Sequence, residues 1–142
     1  MTNKTIFIPG LGERAKQYVT FSKYMKIHDI DWNNIKLPKG TYDTLIGFSI
    51  GAILACECTL KHKVKTLILC SMTSGVETLA KIKTDKVTFL VGEKEKWCLT
   101  DIKRVAKTLK CEWQIIVIPK ADHRITGNYR KKLLEVANGL QK

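Results

Sequence analysis

The sequence predicts an α/β sandwich of three layers, built on a mainly parallel sheet of about six strands. Three observations lead there. Short apolar runs alternate along the chain with amphipathic runs, the order expected of a parallel sheet with crossover helices. Several of the apolar runs are nearly continuous, as strands buried on both faces are. Polar residues that can do chemistry cluster just after the predicted strands, where α/β sheets gather their reactive groups.

The elements read strand, helix, strand, strand, helix, strand, strand, helix, strand, helix. Thr5-Ile6-Phe7-Ile8 forms the first strand, stopped by Pro9-Gly10. A helix is expected over about 14–26, where Ala15, Tyr18, Val19, Ser22 and Met25 recur at three- and four-residue steps. A second strand is expected over 28–32, followed by a connection containing Pro38-Lys39-Gly40. Tyr42-Asp43-Thr44-Leu45-Ile46 is β-rich and leads to Ser49; the helix after it runs to about His62. The run from Val64 to Ser71 is a buried strand, and 72–85 a connector with at most a short helix. Lys86 to Val91 is a strand ending at Gly92. Leu99, Ile102, Ala106 and Leu109 mark an amphipathic helix. Glu112 to Ile118 is the last strand, stopped by Pro119, and Tyr129, Leu133, Val136 and Leu140 mark the closing helix.

A chain of 142 residues suits one domain with one substantial core. With 44% hydrophobic and 27% charged residues it has the composition of an ordinary globule. The four-residue apolar segment near the N-terminus is too short for an export signal, and no stretch approaches the length of a membrane span. Five cysteines lack metal-like or redox-like spacing; Cys56 and Cys58 would diverge on a helix. They read as reduced thiols, which makes the cytoplasm the expected location. The formal charge is +12 and the pI about 9.6. Its lysines are dispersed, without an arginine cluster or aromatic interleaving, so nucleic acid is not the expected partner.

The sharpest local signal is Gly47-Phe48-Ser49-Ile50-Gly51, set between a strand-like and a helix-like run. A turn this tight starts the helix almost on top of the strand it leaves. Side chains two before and two after the serine would collide, so both positions call for glycine. The serine is driven toward an unusual backbone conformation that exposes its hydroxyl.

Four loops follow predicted strands: Gly10-Leu11-Gly12, the turn at Ser49, Gly92-Glu93-Lys94-Glu95, and Ala121-Asp122-His123. On these motifs the chain resembles a small, capless member of the α/β-hydrolase superfamily, in the order nucleophile, acid, histidine. The resemblance covers nearly the whole chain. It implies that Ser49 is the nucleophile, His123 the general base and Glu95, three residues past Gly92, the triad acid. The backbone N–H groups of Leu11 and Ile50 are implied as the oxyanion hole. Glu93 remains the alternative acid. Asp122 is read as shaping the histidine loop, and Asp101 as too far along the following helix.

Each implied role meets a chemical need. Serine is a poor nucleophile unless a base takes its proton, and histidine is the residue type that titrates near neutrality. A carboxylate holds the imidazole in the right tautomer. Each oxyanion donor contributes about 3 kcal/mol. The chemistry requires no cofactor and no metal. Of the three histidines only His123 follows a strand's carboxyl end; His28 opens a predicted edge strand and His62 ends a helix.

Two departures from the family pattern shape the expectation. The segment 33–43 is too short for the usual helix, and only a short connector replaces the usual cap. The site should therefore be open, with Met72, Thr73 and Val76 on its rim. The Gly-Phe-Ser form of the turn resembles small carboxylesterases and acyl thioesterases. The expected function is hydrolysis of a carboxylic ester or thioester through an acyl-serine, with the positive charge favouring an anionic small-molecule substrate. A second reading, motivated by the solvated Glu-Lys alternation around Glu95, is a non-catalytic binding protein on the same scaffold, holding a polyanion or a protein partner.

Overall fold

The computed structural model describes residues 4–73 and 76–139. Its strands are β1 (Thr5–Ile8), β2 (Lys26–Ile27), β3 (Thr44–Phe48), β4 (Val64–Cys70), β5 (Thr84–Gly92) and β6 (Glu112–Ile118). Its α-helices are α1 (Ile50–Lys61), α2 (Lys96–Ala106) and α3 (Gly127–Ala137), with 3-10 segments at Ala15–Phe21 and Val76–Lys81. The strands form one sheet in the order β2-β1-β3-β4-β5-β6, every pair parallel.

Alternation along each strand feeds two cores. One face carries Ile6, Ile8, Leu45, Leu67, Leu69, Val87, Phe89 and Val91, covered by Ala52, Ala55 and Cys56 of α1 and Cys98, Ile102 and Ala106 of α2. The other carries Phe7, Ile46, Phe48, Ile68, Cys70 and Leu90, covered by Tyr18 and Phe21 of the first 3-10 segment and Tyr129 and Leu133 of α3. Strands β3, β4 and β5 are therefore apolar on both faces, which explains their nearly continuous hydrophobic runs.

The sheet order also locates the site. From β1 the chain steps to β2 on one side, then crosses to β3 on the other. The carboxyl ends of β1 and β3 thus flank a switch in direction, the place where open α/β sheets form their crevice. Phe48 pairs in register with Cys70, Cys70 with Leu90, and Gly92 with Ile118, so the loops after these strands share one edge.

Two predicted elements differ. The helix expected over 14–26 is a 3-10 segment broken at Tyr18 (φ −117°, ψ 25°). Its buried residues are Tyr18 and Phe21, with Met25 buried just beyond it, while Val19 is 65% exposed. The hydroxyl of Tyr18 donates to Glu13 Oε1 at 2.6 Å, and this tertiary tie accompanies a tighter turn than the periodicity indicated. The strand expected over 28–32 is only the two residues of β2. The chain leaves the sheet after the His28 N–H reaches Phe7 O, because Asp29 turns outward to accept from Arg14 and the Ala15 N–H. Helix α2 ends at Ala106, so Leu109 packs from the turn beyond it. Leu140 lies outside the described residues.

Candidate active site

Strand β3 delivers Ser49 with φ 59° and ψ −118°, a conformation that L side chains rarely adopt. A Cβ on Gly47 would stand 2.2 Å from Gly51 O, and one on Gly51 2.2 Å from Ile8 O. Both glycines are thus required by backbone contact. The Ser49 N–H donates to Cys70 O at 2.9 Å, fixing the turn to the end of β4. Ile50 opens α1, so its N–H is among the donors without an intrahelical acceptor, at the positive end of the helix dipole.

His123 arrives on the loop after β6. Three bonds lace this loop to the one after β5: Glu93 N–H to Ile118 O (2.9 Å), Lys94 N–H to Ala121 O (3.0 Å) and Lys120 N–H to Glu93 Oε1 (2.9 Å). Gly92 permits the approach, since a Cβ there would meet Ala121 O at 2.4 Å. His123 Nε2 lies 3.1 Å from Ser49 Oγ, and Nδ1 2.5 Å from Glu95 Oε1. The ring sits against Phe48, centroids 5.1 Å apart. An ionised carboxylate only accepts, so Glu95 selects the tautomer with the proton on Nδ1 and leaves Nε2 free to accept from Ser49.

Glu95 is 3% exposed. Its Oε2 accepts from Gly92 N–H (2.8 Å) and Ser71 Oγ (2.6 Å). Burial pushes its pKa up, but the bonds from His123, Ser71 and Gly92 outweigh burial and hold it below the ordinary 4.5. A depressed folded-state pKa means stability that is complete above the unfolded value and lost as pH falls through the folded one. Urea unfolding between pH 7 and pH 3 should therefore show the protein losing more stability below about pH 4.3 than Glu95→Gln does. Parallel losses in the two proteins would refute this.

The other predicted acids are elsewhere. Glu93 is exposed and spends Oε1 on the Lys120 N–H. Asp122 is exposed, and Asp101 faces Arg104 at 3.6 Å. After β1, the Gly10 N–H donates to Glu13 Oε1 at 2.7 Å and the Glu13 N–H returns to Gly10 O at 3.0 Å. This small ring leaves Leu11 at its tip, 69% exposed. Of the expected rim, Met72 is instead fully buried: it packs into the core beneath α2, where Cys98 Sγ donates to its carbonyl. Thr73 is half-buried and the Val76 side chain lies outside the described residues.

Sequence reasoning missed Ser71, Tyr129 and Glu13. Ser71 carried a usable signal, a polar residue closing an apolar strand at the reactive edge. Tyr129 read as an ordinary core position of a helix, and nothing local marked its hydroxyl. Among the described residues no cluster of three or more histidine, cysteine, aspartate or glutamate side chains could hold a metal ion, and no helix is long and apolar enough to cross a membrane.

Neither a protein-family model nor a curated protein sequence matches the chain. Solved structures do. Esterase PE8 superposes with a TM-score of 0.68 at 10% identity, over 98% of this chain and 93% of its own. Dienelactone hydrolase from Anabaena variabilis gives 0.69 at 12%, over 97% and 84%. Est1E from Butyrivibrio proteoclasticus gives 0.69 at 12%, over 97% and 86%. At these identities the likeness is one of fold.

Proposed function

We propose that this chain, which has the α/β-hydrolase fold, is a serine hydrolase that cleaves a carboxylic ester or thioester. The observation that carries the reading is the unbroken hydrogen-bonded line from Ser49 Oγ through the His123 ring to Glu95 Oε1 at the carboxyl edge of the sheet. Esterase and hydrolase activities named for structures of the same fold support the reaction class.

In this reading Ser49 Oγ attacks the acyl carbon while its proton passes to His123 Nε2. The carbonyl oxygen takes up negative charge beside the N–H groups of Leu11 and Ile50, each worth about 3 kcal/mol. Collapse breaks the bond to the leaving alcohol or thiol, which takes the proton from His123. Water then attacks the acyl-serine, giving its proton to the same nitrogen; the bond from the acyl carbon to Ser49 Oγ breaks as Oγ takes that proton back, which releases the acid product and restores the serine. Glu95 stays ionised throughout and stabilises the imidazolium.

The 3-10 segment Val76–Lys81 replaces a cap, which favours small or extended acyl groups over ones needing an enclosed pocket. The net charge of +12, with exposed Lys94, Lys120 and Arg124 on the loops carrying Glu95 and His123 and Lys96 at the start of α2, favours an anionic substrate through steering. A non-catalytic scaffold predicts no need for hydrogen-bond contact among the three side chains, and their spacing counts against it.

The test is a fluorophosphonate probe together with a panel of short- and long-chain esters and thioesters. Ser49 should label, and Ser49→Ala should remove both labelling and turnover, the latter by a factor on the order of 10⁶. Folded protein that neither labels nor turns over any member of the panel would overturn the proposal. Steep salt-dependent retention on heparin would then point to a polyanion-binding scaffold.

A further inference from the structure

Glu95 shares the site with two buried hydroxyl groups from distant parts of the chain. Ser71 stands at the end of β4 with φ 48° and is fully buried. Its neighbour Cys70 accepts the Ser49 N–H, and its own N–H donates to Leu90 O at 2.7 Å. The end of β4 therefore touches the turn that carries Ser49 on one side and the loop that carries Glu95 on the other. Ser71 Oγ lies 2.6 Å from Glu95 Oε2 and 2.7 Å from Tyr129 Oη. Tyr129, on α3, is fully buried; its hydroxyl also lies 3.2 Å from Leu90 O, and its ring meets Phe48 edge-on at 6.3 Å.

Counting protons orders this chain. An ionised Glu95 can only accept, so the single Ser71 hydroxyl proton goes to Oε2. Ser71 then accepts from Tyr129, whose proton lies between Ser71 and Leu90 O. Every buried side-chain polar atom among the described residues has a partner, so the network is complete. The strained φ of a non-glycine residue at its centre persists because three neighbours hold it there.

We propose that Ser71 and Tyr129 are positioning residues: Tyr129 orients the Ser71 hydroxyl, and Ser71 holds Glu95 Oε2 so that Oε1 faces His123 Nδ1. This rests on the hydrolase reading above for its effect on turnover, but not for its effect on Glu95. A glutamate has one more rotatable bond than an aspartate, and a second clamp on the far oxygen removes that freedom. The titratable groups facing Glu95 are His123 from the β6 loop, Tyr129 from α3, Cys70 from β4 and Cys98 from α2.

The experiment compares Ser71→Ala and Tyr129→Phe with the unaltered protein, using two readouts. Phenylalanine keeps the ring against Phe48 and deletes only the hydroxyl. Where Ser71→Ala does not fold, Ser71→Gly, for which φ 48° is unstrained, takes its place. In the panel assay each variant should lose about tenfold to a hundredfold in kcat with KM little changed, as misplacement of a group behind the chemistry does. Independently, the Glu95 carboxyl titration, followed by carbon NMR and assigned with Glu95→Gln, should move up by about one pH unit or more in the Ser71 variant. It should move less in Tyr129→Phe. A titration unchanged in both variants, or full kcat in both, overturns the assignment. A shifted titration in a protein inactive on every substrate leaves the positioning role standing and removes the hydrolase reading.

Discussion

Glu95→Gln should lower kcat by about 10⁴-fold while leaving the fold intact. The size follows from which way the amide must face. Glu95 Oε2 accepts two hydrogen bonds, from the Gly92 N–H and from Ser71 Oγ. An amide nitrogen placed there would meet the fixed Gly92 N–H donor, so the carbonyl oxygen takes that side. The NH₂ group is then turned toward His123 Nδ1, where Glu95 Oε1 stood at 2.5 Å. A donor facing Nδ1 forces the ring proton onto Nε2, the nitrogen 3.1 Å from Ser49 Oγ. His123 in that tautomer cannot take the serine proton. The variant is nearly isosteric, so the loss should appear in kcat/KM on the best substrate of the panel, with an unchanged circular dichroism spectrum. A loss smaller than about tenfold would mean that Glu95 does not set the tautomer.

Gly51→Ala should destabilise the protein by more than about 4 kcal/mol, or prevent folding altogether. The added methyl would stand 2.2 Å from Ile8 O, at the end of β1, and 2.5 Å from Pro9 O just beyond it, both backbone atoms. No side chain can swing aside to make room. Either β1 or the start of α1 must move, and with them the turn that holds Ser49. Gly12→Ala separates this cause from backbone strain. Gly12 has φ 77° but nothing within 4 Å of an added Cβ, so its replacement should cost only about 1 kcal/mol. Thermal unfolding of the two variants reads the contrast, since 1 kcal/mol is worth about 2–8 °C in a domain of this size. Equal shifts would show that the close approach at Gly51 can relax.

These predictions draw on different layers of information. The two glycines around Ser49 were legible because a tight strand-to-helix turn is a local constraint, written within five adjacent residues. The parallel sheet was legible because strands buried on both faces leave long apolar runs, as Val64 to Cys70 does. Less local elements were harder to read. The segment after Gly12 has a helix-like period but forms 3-10 turns, with Tyr18 tied to Glu13. Met72 looked like a rim residue because it follows a strand end, yet the chain folds it into the core under α2.

What the sequence by itself determined is the turn at Ser49, the succession of buried strands, and the arrival of one histidine after the last of them. Each follows from sterics or hydrophobic period over a few neighbouring residues. Only the tertiary structure decided which carboxylate meets that histidine. Glu93 and Glu95 are two residues apart and alike in chemistry, but one turns out to cap the Lys120 N–H and the other turns in to His123. It also brought Tyr129 to Ser71, 58 residues away. A buried hydroxyl must find a partner wherever packing puts one, and packing depends on the whole sheet rather than on the residues beside it.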